Sequence, residues 1–148
     1  MLSTLFLAWI AATTCMTGFS YVISTILNEN FKEPVLLTDL LGKVFHVKLP
    51  IWVGWLVHYV TGILFLVLLI AAYSLTNVAI SVLWGIIFGA ILGGIGIMMW
   101  KGLYKVANTD PPTHTRVFHL QLIIAHIFFG MAAIGVERCY DAYLKMWL

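Results

Sequence analysis

Residues 49–100 read LPIWVGWLVHYVTGILFLVLLIAAYSLTNVAISVLWGIIFGAILGGIGIMMW and contain no Asp, Glu, Lys or Arg. An uncharged run of 52 residues is too long for one element of a soluble fold. A helix crossing a hydrocarbon core of about 30 Å needs about 20 apolar residues. The run therefore has the length of two crossings, with a tight turn at 74–77 between them. Outward from it, residues 1–28 and 117–136 are also free of charged side chains. The reading is all-α: a polytopic membrane four-helix bundle, a single domain over 1–148, with membrane helices over about 3–27, 50–73, 78–100 and 116–136.

Composition agrees. The chain is 62% apolar and 9% charged, with a mean hydropathy of +1.02, against about 25% charged residues in soluble domains. Four spans and their loops use up the 148 residues, so any chemistry is expected inside the bundle or on short loops. A net charge of +2 is too small to point to nucleic acid, and the cations read better as topology signals. Cys15 and Cys139 have no metal-ligand spacing. Cys15 is expected inside the first helix, as its only buried thiol, and Cys139 past the end of the fourth. The first Lys is Lys32, so the N-terminus lacks the basic region of a signal peptide and reads as a retained helix.

The first loop is not simply polar. Residues 34–41 (PVLLTDLL) open on Pro34 and are followed by Gly42, a start and a stop signal for about two turns of helix. Such a helix would lie along the membrane surface, or else collapse onto the end of the bundle. Six cations (Lys32, Lys43, Lys48, Lys101, Lys105, Arg116) fall on the side of loops one and three, and two (Arg138, Lys145) on the other. That bias places the longer loops in the cytoplasm and both termini outside. Trp52, Trp55, Trp84 and Trp100 fall near span ends, as interface aromatics do.

Glycines and histidines mark the inner faces. The third span carries Gly85, Gly89 and Gly93 at four-residue spacing, then Gly94 and Gly96. A strip without side chains lets another backbone approach closely, which is how helices associate in lipid. This places the third span at the centre of the bundle, or else makes it a dimer seam or the wall of a flat ligand site. The second span aligns Gly54, His58 and Gly62, and the fourth aligns His119, His126 and Gly130. Ionisable groups in a bilayer are costly and face the bundle interior. His58 lies about 12 Å and His126 about 15 Å in from the same side, so the two imidazoles should meet, with His119 nearer the surface. The first span adds hydroxyls, and the face Thr14, Thr17, Gly18, Tyr21 is expected to point inward, as packing or as partners for the histidines.

The pattern His58-x3-Gly62 recurs 68 residues on as His126-x3-Gly130, and the same offset takes Thr17-Gly18 to Gly85-Ile86. Two such halves would pack about an axis along the membrane normal. A facing imidazole pair can ligate haem iron, hold part of a metal site, relay protons, or simply hydrogen-bond between helices. No carboxylate is expected inside the membrane, so a closed four-ligand zinc site is short of ligands. Asp110, His114, Arg116 and His119 could bind a headgroup or form a solvated helix start. No catalytic constellation or nucleotide fingerprint is present.

The stretch Gly54-Trp55-Leu56-Val57-His58-Tyr59-Val60-Thr61-Gly62 forms a GW-x-x-HY-x-x-G helix. With Cys15-Met16-Thr17-Gly18 and His119-x6-His126-x3-Gly130, it resembles a family of small four-helix bacterial inner-membrane proteins of unknown function. The resemblance covers most of the chain and implies fold and location, with no activity to carry over. The expectation is a non-enzymatic membrane subunit, or a binder of lipid or another small ligand, with an intramembrane His58–His126 pair. The alternatives are a bis-histidine haem b redox protein and a small transporter or proton pathway. The partners expected are the bilayer itself and a homodimer or larger membrane complex.

Overall fold

The computed structural model describes residues 2–110 and 114–147, the side chains of 141 and 143–147 apart. The described residues form five helices and no strand: α1 Leu2–Leu27, α2 Glu33–Phe45, α3 Ile51–Thr76, α4 Val82–Val106 and α5 Thr115–Trp147. Four segments are long and apolar enough to cross a membrane: α1, α3, α4 and Thr115–Tyr140 of α5. The protein is a multi-pass membrane protein. Large apolar side chains such as Leu64, Val67 and Ile91 are exposed along these helices, a surface that water would not tolerate at this extent.

Local chemistry sets the helix ends. Asn28, His46, Asn77 and Asn108, at or just beyond the ends of α1 to α4, all have positive φ, between 47° and 54°. Left-handed residues stop a helix, and Asn tolerates that conformation better than most side chains. Pro34 sits in the first turn of α2, where its missing N–H would be unpaired anyway. The Ser81 side chain caps α4 by accepting from the Trp84 N–H. Several expected boundaries move: α2 runs through Gly42 to Phe45, and α4 spans Val82–Val106 against the expected 78–100. The turn at 74–77 begins only after Thr76, because α3 runs three residues past its expected end. Glu137 and Arg138 do not end the last helix, which runs on to Trp147. Neither residue breaks a helix, and charge alone marks an exit from lipid rather than an end of helix.

Packing centres on α5, not on the third span as expected. Along α5, half of the spanning residues are buried, against a third in the other spans. On one side α4 lays Gly85, Gly89 and Gly93 against it. A Cβ at Gly89 would come within 2.5 Å of the His126 carbonyl oxygen, and one at Gly93 within 2.6 Å of the Ile123 Cα. Gly130 of α5 faces Gly85 just as closely. On another side lies α1, whose buried stripe Thr4, Ala8, Ala12, Met16, Ser20 and Ser24 repeats every four residues. This is small-residue packing, which suits lipid.

Helix α3 stands apart from that three-helix unit. It packs mainly on α2 and touches α4 far less than α5 does. Gly54 makes the α2 contact, since a Cβ there would collide with the Pro34 carbonyl. The two halves are therefore not packed alike: α4 clasps α5 closely, whereas α1 and α3 meet much more lightly. The expected repeat symmetry fails: α2 packs on α3, and among the described residues no helix stands in its place between α4 and α5.

Candidate functional site

Where α3 stands away from α4, a cavity of ≈440 Å³ opens at the α2 end of the molecule. All five helices line it: Met16 from α1, Glu33 from α2, His58 and Phe65 from α3, Gly96 from α4 and His126 from α5, among others. The two histidines on the inner faces thus reach one space. His58 is 5% and His126 4% exposed.

Each imidazole is fixed by one hydrogen bond. Thr17 Oγ1 donates to the Thr13 carbonyl at 2.7 Å, which uses its only proton. Its oxygen therefore accepts from His58 Nε2–H at 2.8 Å. His126 Nδ1 lies 2.7 Å from the Leu122 carbonyl. A carbonyl only accepts, so Nδ1 carries the proton and Nε2 keeps a bare lone pair. That Nε2 is buried and has no partner among the described residues. The ring stacks edge-on to Phe65 at 4.8 Å. It sits close against α4 at Gly96, where a Cβ would come 3.0 Å from Cε1.

A third ionisable group belongs to the site. Glu33, on the first turn of α2, is only 3% exposed and lines the same cavity. The sequence reading, which expects no carboxylate inside the membrane, does not foresee a carboxyl reaching the cavity from α2. Ser20 donates to Glu33 Oε1 at 2.6 Å, and Gln121 Nε2 donates to the same oxygen at 3.1 Å. Gln121 also donates to Ser20 Oγ in a short contact. Glu33 Oε2 and Gln121 Oε1 have no partner among the described residues. Burial pushes the Glu33 carboxyl from 4.5 up to about 7, with the Ser20 and Gln121 hydrogen bonds pulling the other way. A buried carboxylate without a cation is costly, and the proton is the cheapest remedy.

The loop geometry explains how Glu33 turns inward. Phe31 is wholly buried, stacks on Phe118 at 5.9 Å, and gives its N–H to Ser24 Oγ at 2.9 Å. That anchor pins residues 28–32 against the bundle and starts α2 with Glu33 facing Ser20. A lone aromatic between Asn30 and Lys32, and a Gln in the uncharged part of the last helix, were the available signals in the sequence. Neither identifies its partner.

The remaining expected residues disperse. His119 lines a separate surface recess with Trp100 and Lys101. Among the glycines named with the site, Gly62 lines the cavity and also gives room to the Thr13 hydroxyl. Gly54 makes the α2 contact, and Gly85, Gly89, Gly93 and Gly130 form the α4–α5 seam. Tyr21 stacks on Trp55 at 6.0 Å beneath Lys32, away from the cavity. Of the expected inward face only Thr17 is buried, while Thr14 and Gly18 are exposed. The inward hydroxyls of α1 are Thr4, Thr13, Thr17, Ser20 and Ser24. Cys15 is exposed, because the buried stripe passes through positions 12, 16 and 20 and leaves 15 on the outer flank. On the loops, His114 pairs with Glu29 at 3.2 Å.

Chemically the site is a hydrogen-bonding pocket in apolar walls. Among the described residues no three His, Cys, Asp or Glu side chains converge as metal ligands do. For haem, His126 has the right form, with Nδ1–H on a carbonyl and Nε2 free. His58 does not, because its Nε2 is the atom bonded to Thr17. Against protein-family models, curated proteins and solved structures, the chain finds no match.

Proposed function

We propose that this protein is a small inner-membrane binding protein that holds a lipophilic ligand, its polar head at Glu33, His58 and His126. The observation that carries the reading is a single cavity onto which three buried ionisable side chains open. Its volume falls in the range of about 300–1,000 Å³ usual for small-molecule sites, and a few placed polar groups within apolar walls are the usual arrangement. Lining residues Met99 and Val106 are exposed on the outer surface, so the apolar rim favours entry from lipid rather than from water.

The distribution of cations supports both termini outside and α2 on the cytoplasmic side, lying at the interface. The resemblance of the GW-x-x-HY-x-x-G helix supports a bacterial inner-membrane location. Binding, alone or within a homodimer or larger membrane complex, is favoured over catalysis, since among the described residues the site offers no activated nucleophile. A transporter or proton pathway remains the second reading, favoured by the buried, titratable Glu33 beside two histidines.

The test is extraction of the protein in native lipid particles and mass spectrometry of what is bound. Val57 lines the cavity, so Val57→Trp is expected to fill it and remove a stoichiometric lipophile without loss of fold. Equal lipophile content in wild type and Val57→Trp would overturn the reading.

A further inference from the structure

The proposed binding function leaves the ligand's chemistry open, and the hydrogen bonds of the site narrow it. The polar atoms of the His126, His58 and Glu33 side chains divide unevenly between donors and acceptors. His126 Nε2 is an acceptor, because its other nitrogen is committed to the Leu122 carbonyl. The N–H of His58 is spent on Thr17. Glu33 Oε1 already takes hydrogen bonds from Ser20 and Gln121. Its Oε2, an acceptor while Glu33 is ionised, and His126 Nε2 are left without partners, both on side chains more than nine-tenths buried. Among the described residues no Lys or Arg lines the space.

Resting on that binding reading, we infer that the cavity selects an amphiphile whose polar head donates hydrogen bonds, a hydroxyl or an amine, to His126 Nε2 and Glu33 Oε2. Buried acceptors left unmet are expensive, so a site of acceptors rejects a head that can only accept. Carbonyl, ether and carboxylate heads of equal chain length are disfavoured, the last also by repulsion from Glu33. A hydroxyl head satisfies either acceptor. An ammonium head adds charge pairing with Glu33 in a site that otherwise lacks a cation.

The experiment uses the whole protein in lipid nanodiscs, buffered well above the Glu33 pKa of about 7 so that the carboxyl is ionised, and four probes of one chain length: dodecanol, dodecylamine, dodecyl methyl ether and methyl dodecyl ketone. Apparent affinities are read from thermal stabilisation at matched membrane mole fractions. Alcohol and amine are expected to bind about tenfold tighter than ether and ketone, the worth of one buried hydrogen bond. The order of alcohol and amine tells a hydroxyl from a charged head. Glu33→Gln keeps an oxygen for Ser20 and Gln121 and replaces Oε2 by an N–H donor. It is expected to move the alcohol-to-ketone ratio about tenfold towards the ketone. With histidine nitrogen labelled, the Nε2 resonance of His126 should shift with alcohol and stay in place with ketone. If all four probes bind alike, the preference for donors is wrong and the binding function stands. If none binds, both fall.

Discussion

At the scale of single residues, Glu33 controls the energetics. Its folded-state pKa, about 7, lies above the ordinary 4.5, so the fold binds this proton more tightly than the unfolded chain does. The resulting stabilisation is complete below pH 4.5 and disappears as pH rises to about 7. With one unit worth 1.36 kcal/mol, the swing is about 3 kcal/mol. Glu33→Gln keeps both acceptor contacts and cannot ionise. Thermal unfolding in detergent should show the variant matching wild type at acid pH and exceeding it by about 3 kcal/mol above pH 7. An unchanged difference across that window would mean that Glu33 is solvated. Thr17 is the second lever. Thr17→Val strands the buried His58 N–H, a loss of about 1–3 kcal/mol, whereas Thr17→Ser keeps the oxygen and should restore stability. Sequence could single out Thr17 and the two histidines, since polar groups in an apolar helix face inward. It could not single out Glu33, which sits outside the uncharged runs and reads as a loop residue.

At the scale of elements, the glycine strip of α4 decides which helices touch. Gly89→Ala sets a methyl within 2.5 Å of a backbone oxygen of α5, where nothing can rotate away. The helices must part, at a cost of about 1–3 kcal/mol. Gly94 has open space at its Cβ position, so Gly94→Ala should be neutral or stabilise by about 0.5–1 kcal/mol through helix propensity. Comparing unfolding midpoints of the two variants separates seam from filler. The strip itself is legible in the sequence from its four-residue spacing. Its partner is not, because spacing defines a face and says nothing about what meets it. The strip fits α5, so α5 and not α4 became the centre. The turn between α3 and α4 joins them in sequence without making them neighbours over their length, since α2 occupies one flank of α3.

At the scale of the whole molecule, the cavity is what the loose fit of α3 leaves behind. A close three-helix unit of α1, α4 and α5 forms one side of the cavity, while α3, braced by α2, forms the other. Topology can be checked on the same scale. Cys139 is exposed near the far end of α5 and Cys15 lies on an outer flank within α1. An impermeant maleimide applied to intact cells should label Cys139 and leave both Cys15 and the Lys43→Cys variant unlabelled. Labelling of Lys43→Cys from outside would invert the proposed orientation.

The sequence by itself determined that this chain builds four membrane-spanning helices, because the absence of charge over bilayer-length runs is a property of consecutive residues. It also determined that His58 and His126 turn inward, since each lies on a helical face marked by glycines. Only the tertiary structure brought Glu33 to them. Ser20, Glu33 and Gln121 lie 13, 88 and 101 positions apart pairwise, on three different helices. Nothing local couples them, and the hydrogen bonds that make a buried carboxyl tolerable exist only once those helices have packed.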